Sequence, residues 1–480
     1  MSLHAANMIS NYMYLITQTM NSSVLGFLLL HVFLGVLLTS LPQKSKSVTT
    51  KNWIFFYFLT INAFLLLVTL YKFFLANQLL TVTFNSINIY GDVSLFSDTL
   101  TCLALSVTVV SWVYLSERYL FKVNFFSFYF FIFVVCTILM VSSTNLVQMF
   151  IYFEFIFLPS LFFVYQFGYS KKVTKSILFL LTWTLTGSFL VLMALAYLWG
   201  VYGVVDFESL RLLKFSLIEN TLLFICFFCG FAVKIPLWPF YYWLIKVHVE
   251  APTGFSIFLS GFLVKTAFYC LTFFYFIFYS QTLNVIALTM IMWGAYDASV
   301  RMWSSLDIKK LIAYATVQEM NLIALFLVLL ANINLSILNL FLLVHGLLSA
   351  LFFFLVDQVQ KQFGSRNSIL VSGLAVFTPL LVLAIWLGLL IFRGFPIFVK
   401  FFVEWELLHL LYSNFTWLGI FFFLLCAVYG VLGFSKTWFG VLYGQPTGSV
   451  VLFDLLKRDL TTASSLISSL FVLSFFLPLF

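Results

Sequence analysis

The chain has 480 residues, of which 63% are hydrophobic and only 8% charged, with a formal net charge of +8. Soluble domains carry about 25% charged residues, so the composition excludes a soluble enzyme or binding module and requires a polytopic membrane protein. The basic residues are scattered among short loops and form no patch, so the charge does not point to nucleic acid.

Apolar runs long enough to cross a bilayer recur along the whole chain. In order they lie near 22–41, 53–76, 93–115, 125–143, 145–167, 177–200, 220–244, 254–279, 282–303, 309–331, 333–356, 370–392, 397–433 and 462–480. The run 397–433 is too long for one crossing and can be two, which predicts an all-α protein with about 14 or 15 transmembrane helices. Between them, 42–52, 77–92, 201–219 and 357–369 read as short to medium loops, and 435–461 as the longest. Loops after the odd-numbered helices up to the eleventh hold fourteen Lys/Arg, from Lys44 through Lys309 and Lys310 to Arg366. Those after the even-numbered helices up to the tenth hold three: Lys72, Arg211 and Lys214. This positive-inside bias predicts an N-terminus on the outer, proton-rich side.

The six cysteines, Cys102, Cys136, Cys226, Cys229, Cys270 and Cys426, all fall in apolar segments. Cys226 and Cys229 make a CxxC without further Cys or His ligands nearby, a pattern that favours packing over zinc or redox chemistry. No phosphate-binding Gly-rich loop, dinucleotide fingerprint, metal cluster or cleavable signal peptide is visible. Any activity of this chain alone is therefore transport. Phenylalanine is extreme at 64 residues. That bias fits an AT-rich coding sequence, from an organelle genome or an AT-rich bacterium.

Two segments are interrupted by Gly and Pro within apolar runs. GFAVKIPLWPF carries Gly230, Pro236 and Pro239, and RGFPIFVKFFVEWE carries Gly394 and Pro396. Each has ionisable groups beside its break: Lys234 in the first, Lys400 and Glu404 in the second. Proline releases a backbone carbonyl, which lipid does not tolerate unless protein or a wet cavity receives it. Paired broken helices in corresponding positions point to an internal repeat and to ion sites.

The titratable residues inside the apolar segments are the candidates for function. An ionised lysine at mid-membrane costs roughly 2.5–3.5 kcal/mol on insertion scales. Glu154 lies mid-helix, and Lys234 is its natural partner from another helix, either as a switchable pair or as a salt bridge locking two helices. Lys265, about 13 residues into its segment, is placed to gain and lose protons rather than to snorkel. His345 can relay protons or hydrogen-bond between helices. His248 and Glu250, at a helix end, either guard a pathway mouth or cap a turn. Glu404 and Glu406 point to different sides of a helix, so one of them faces inward. His31 and Asp357 read as a lone helix histidine and a helix-end charge. Glu154, Lys234, Lys265, His345 and Glu404 thus form a series of titratable sites on five helices, with His248, Glu250 and Lys400 as secondary candidates.

VKIPLWPFYYWLIKVHVEAPTG, with its spacing from Lys234 to 248–252 and on to Lys265, resembles the signature of the antiporter-like membrane subunits of respiratory complex I. DIKKLIAYATVQEMNL, HGLLSALFFFLVD and YFEFIFLPSLFFVYQFG look like further blocks of that family, and the resemblance spans roughly 90–435. Glu404 stands at a position that sets one member apart from siblings that usually carry lysine there. The resemblance implies 14 transmembrane helices with two inverted five-helix repeats, each with a broken helix. It divides the chain into N-terminal helices (1–124), a first repeat (125–279), a second repeat (280–434) and a C-terminal loop and helix (435–480). It implies proton pumping, with Glu154 and Lys234 as the coupling pair, Lys265 and His345 as central relay residues and Glu404 as the terminal site. It also implies a mitochondrial inner-membrane location, sibling membrane-arm subunits and phospholipids as partners, and no cofactor in this chain. NADH, FMN, iron–sulfur clusters and ubiquinone would belong to partner subunits. One departure is the bulky FPIFVKFFVEWE, where the family usually has small residues; its added Lys400 either shifts the exit route or fills space. The alternatives are a subunit of a multi-subunit Na⁺/H⁺ antiporter and a structural scaffold without transport.

Overall fold

The computed structural model describes residues 123–475, apart from 142, 144, 169–171, 205, 279–280, 330–334 and 446–453. The expected helices at 22–41, 53–76 and 93–115, His31, Cys102 and the orientation of the N-terminus lie outside the described residues.

The described chain is built of helices. They are α1 (Val123–Val141), α2 (Leu146–Phe167), α3 (Val173–Tyr202), a short α4 (Phe207–Leu212), α5 (Leu217–Lys234) and α6 (Tyr242–Glu250). Next come α7 (Thr253–Phe258), a π-helical turn (Leu259–Leu263) and α8 (Val264–Ile277), which together form one continuous span. The second half contains α9 (Gln281–Ser304), α10 (Ile308–Leu329), α11 (Leu335–Phe363), a short α12 (Leu374–Phe377), α13 (Pro379–Phe392), α14 (Val399–Tyr443) and α15 (Lys457–Phe475). Eight described helices are long and apolar enough to cross a membrane, and α13 and α15 are shorter apolar helices.

Local chemistry sets the ends. Asn145 caps α2 by accepting from the Val147 N–H, and Ser216 and Glu219 form a reciprocal capping box on α5. Helix α13 begins at Pro379, where the missing N–H is not needed, so it starts later than the expected 370. The loop expected at 201–219 contains α4, and α11 runs on to Phe363 through part of the loop expected at 357–369. Helix α14 also extends past 433 to Tyr443, shortening the long loop. Its 45 residues would make a rod of ~67 Å, about twice the hydrocarbon thickness of a bilayer. Thr416 breaks the rod with non-helical φ 54° and ψ −136°, so the run at 397–433 is two helices meeting at a joint.

Three elements are almost wholly buried: the α7–α8 span, α10 and α11. Helix α11 packs on α7, the π turn, α10, α13, α14 and α15. The other spans surround this centre with one face exposed, as lipid-facing helices do. Polar groups on the three central helices therefore face protein and not lipid.

Candidate functional site

The first break is built by its own sequence. Pro236 supplies no N–H, and the Leu237 N–H bonds the Ala232 carbonyl instead. That leaves the Val233 carbonyl, which accepts from the Trp243 indole at 2.8 Å. Lys234 is consequently the last residue of α5, where the negative end of the helix dipole favours a cation. Its fully buried Nζ donates to Glu154 Oε1 on α2 at 2.5 Å and lies 4.2 Å from the Phe153 ring centroid. The Ser188 hydroxyl on α3 donates to the same oxygen at 2.8 Å. Helices α3 and α5 come this close because Gly187 faces Gly230: a Cβ on Gly230 would meet the Gly187 carbonyl oxygen at 2.9 Å.

The second break closes differently. The Gly394 N–H bonds the Ile391 carbonyl and the Phe395 N–H bonds the Leu390 carbonyl, with Gly394 at φ +64°, a Schellman motif that ends α13. The Phe392 carbonyl is instead taken by Lys400 Nζ at 2.6 Å, reaching back across the break. The same ammonium donates to Glu319 Oε1 on α10 at 2.7 Å and lies 3.4 Å from Glu404, one turn along its own helix. Lys400 and Glu319 are only 3% and 5% exposed. Glu404 lies against Gly394, where a Cβ would meet its Oε2 at 2.6 Å.

Between the breaks lie Lys265 and His345. Lys265 is fully buried and its Nζ donates to the carbonyl of Ser260, inside the π turn. Such turns recur at functional sites because they release a carbonyl from the helix ladder. His345 is buried on α11, and both its ring nitrogens lack a hydrogen-bond partner among the described residues. It is within Coulombic range of Lys265 and Lys400, and Lys265 is in range of Glu319. No hydrogen bond or ion pair joins Lys234 to Lys265 among the described residues. The structure therefore joins Glu319 and Glu404 through Lys400, with Lys265 and His345 linked to that group only electrostatically, and places Glu154 and Lys234 as a separate pair.

The secondary candidates have definite places. His248 is buried and stacks on Phe353 at 4.7 Å. Glu250 is half-buried at the end of α6. The end of α6 and its junction with α7 are clamped by two cations, Arg366 to the Val249 carbonyl at 2.8 Å and Lys309 to the Ala251 carbonyl at 2.6 Å. Lys309, expected among the loop charges, is fully buried in the first turn of α10. Asp357 is not at a helix end: it lies fully buried within α11 and accepts from the Thr253 hydroxyl at 2.5 Å. Residues 241–242, after the first break, are braced by α9, where Tyr241 donates to Asp297 and Arg301 donates to the Tyr242 hydroxyl at 3.1 Å. Sequence reasoning missed Glu319. The one sequence signal for it is its spacing to Lys400, 81 residues against 80 from Glu154 to Lys234, which carries weight only once the two pairs are seen.

Residues 143–430 match the family described as NADH:quinone oxidoreductase/Mrp antiporter, TM. NADH-ubiquinone oxidoreductase chain 4 of Paramecium tetraurelia is 34% identical over 381 residues, which cover 78% of each chain. The chain belongs to this family of NADH-ubiquinone oxidoreductase chain 4 and Mrp-antiporter-like membrane subunits. The family also includes the chain 4 of Acanthamoeba castellanii, 30% identical over 62% of this chain and 61% of that one. Solved structures share the fold at lower identity. Respiratory complex I from Thermus thermophilus gives a TM-score of 0.71 at 20% identity, over 79% of this chain and 81% of that chain. The archaeal membrane-bound sulfane sulfur reductase gives 0.74 at 16%, over 95% of both chains. The Mrp complex of Dietzia gives 0.69 at 19%, over 79% of this chain and 42% of that chain. At these identities the likeness is one of fold.

Proposed function

We propose that this chain is a proton-translocating subunit of the membrane arm of respiratory complex I, coupling NADH:ubiquinone electron transfer to proton pumping. The observation that carries this reading is the buried Glu154–Lys234 pair at a helix break, together with a protein-enclosed group of titratable side chains around Lys265 and His345. A buried ion pair is a poor stabiliser after desolvation, so its use is better sought in function. Coulomb energies of several kcal/mol at intermediate dielectric match the ~2.3 kcal/mol needed to move one charge across 100 mV. When Glu154 withdraws, Lys234 loses its counter-charge and gives up a proton towards Lys265, and His345 and Glu404 pass it on. His248, buried beside Phe353, is a secondary candidate along the route, and Glu250 one for its mouth.

The reading includes 14 transmembrane helices with two inverted repeats, at 125–279 and 280–434, between N-terminal helices at 1–124 and a C-terminal loop and helix at 435–480. The fourth span of each repeat is broken. It places the chain in the mitochondrial inner membrane with its N-terminus on the intermembrane-space side, among sibling antiporter-like subunits and phospholipids. The redox cofactors belong to other subunits, which makes this chain part of an enzyme without a redox centre of its own.

The test is proton pumping per NADH oxidised in membranes carrying Lys234→Ala, with assembly followed in parallel. Assembly with loss of pumping is expected. Assembly with normal pumping would mean a scaffold. A second reading, exchange of Na⁺ for H⁺, is favoured by the family's inclusion of Mrp antiporter subunits. It requires translocation that depends on a sodium gradient, whereas the proton reading expects none.

A further inference from the structure

The two breaks carry the same arrangement with different residues. In the run α1, α2, α3, α5–α6 and α7–α8, Glu154 is on the second span and Lys234 on the broken fourth. In the run α9, α10, α11, α13–α14 and the helix beyond Thr416, Glu319 is on the second span and Lys400 on the broken fourth. The acid precedes its lysine by 80 residues in the first half and 81 in the second. Both ammonium groups sit at the C-terminal end of the half-helix before the break: Lys234 as its last residue, Lys400 through the Phe392 carbonyl. Each also lies over an aromatic ring, at 4.2 Å from Phe153 and 4.1 Å from Phe392.

We propose that Glu319–Lys400 is a second switching ion pair, the counterpart in the second half of Glu154–Lys234, and that Lys400 is a proton-carrying residue between His345 and Glu404. This deepens the proton-translocation reading and rests on it. Lys400 stands between two carboxylates, 2.7 Å from Glu319 and 3.4 Å from Glu404. Against Glu319 it is held as ammonium. Shifted to Glu404, it donates one proton: the ammonium becomes an amine and the carboxylate a carboxylic acid, with no change in net charge. Glu404, 22% exposed, is the more accessible of the two acids and releases the proton. The Lys400 amine is then reprotonated from the Lys265 ammonium through His345, a buried imidazole that feels the charge of both lysines and whose two ring nitrogens have no hydrogen-bond partner among the described residues. A purely structural pair would have no need of a second acid one helical turn away on the same face.

The experiment compares three forms of the intact complex in its native membranes by protons pumped per NADH oxidised, with assembly followed on native gels. Lys400→Arg keeps the positive charge on Glu319 but cannot release a proton. Glu319→Gln with Lys400→Met removes the charges together, so neither is left unpaired. Lys234→Ala is the reference. Lys400→Arg and the double variant are each expected to assemble and to lose pumping as far as Lys234→Ala does. Parental pumping in either one overturns the proposal, and failure of both to assemble assigns the pair to the fold and overturns it equally. Normal pumping by Lys234→Ala instead removes the proton reading itself, a result separate from the other two.

Discussion

The Glu154–Lys234 and Glu319–Lys400 pairs use the same parts in different surroundings. Among the described residues Lys234 pairs with one carboxylate, which is 28% exposed and shared with a serine hydroxyl. Lys400 has two, one nearly sealed at 5% exposed and one 22% exposed. A lysine with one acid has two states, paired and abandoned. A lysine with two acids can move between them without ever being abandoned. On the proposed reading, the first pair opens by leaving Lys234 without a counter-charge, and the second by passing a proton from one acid to the other.

The comparison can be broken by substitution. Glu154→Gln leaves buried Lys234 without a carboxylate and is expected to cost about 3–5 kcal/mol, seen as a lower heat-denaturation midpoint of the detergent-extracted complex. An unchanged midpoint would show that Lys234 finds another acid or gives up its proton. Glu319→Gln is expected to lower the midpoint less, because Glu404 remains beside Lys400. Adding Glu404→Gln should bring the loss to the Glu154→Gln level, with a total exceeding the sum of the single effects. Simple additivity would deny that the two acids substitute for each other. Gly230→Ala drives a methyl into Val191 and the Gly187 carbonyl, and about 1–3 kcal/mol of overpacking is expected by the same measurement. The smallest effect, about 1 kcal/mol, is expected for Ser188→Ala, since Lys234 still holds Glu154. A larger loss would make the serine, rather than the lysine, the anchor of the acid.

The spans were legible because the bilayer imposes their length, so apolar runs near 145–167 and 309–331 reappear as α2 and α10 with small shifts at their ends. The first break was legible in Pro236 and the second in Gly394 and Pro396. Lys234 and Glu154 could be paired because each is a lone charge on an apolar background. Glu319 was hidden for the opposite reason. It sits among Gln318 and Asn321 on a helix whose polar residues look solvated, and only the packing of α10 in the centre buries them. Lys309 was mistaken for a loop charge because a basic residue at a helix start usually faces water. Its carbonyl partner, Ala251, is contributed by a segment 58 residues away, and sequence separation gives no hint of that contact.

The backbone contact between Gly187 and Gly230 also decides what can move. With no side chain between them, the backbones of α3 and α5 touch, which favours their moving together. Ser188 and Lys234 lie one on each, and both donate to the same oxygen of Glu154. On the proposed reading, separation of the pair is then a movement of α2 against α3 and α5 together, in which the acid leaves both donors at once.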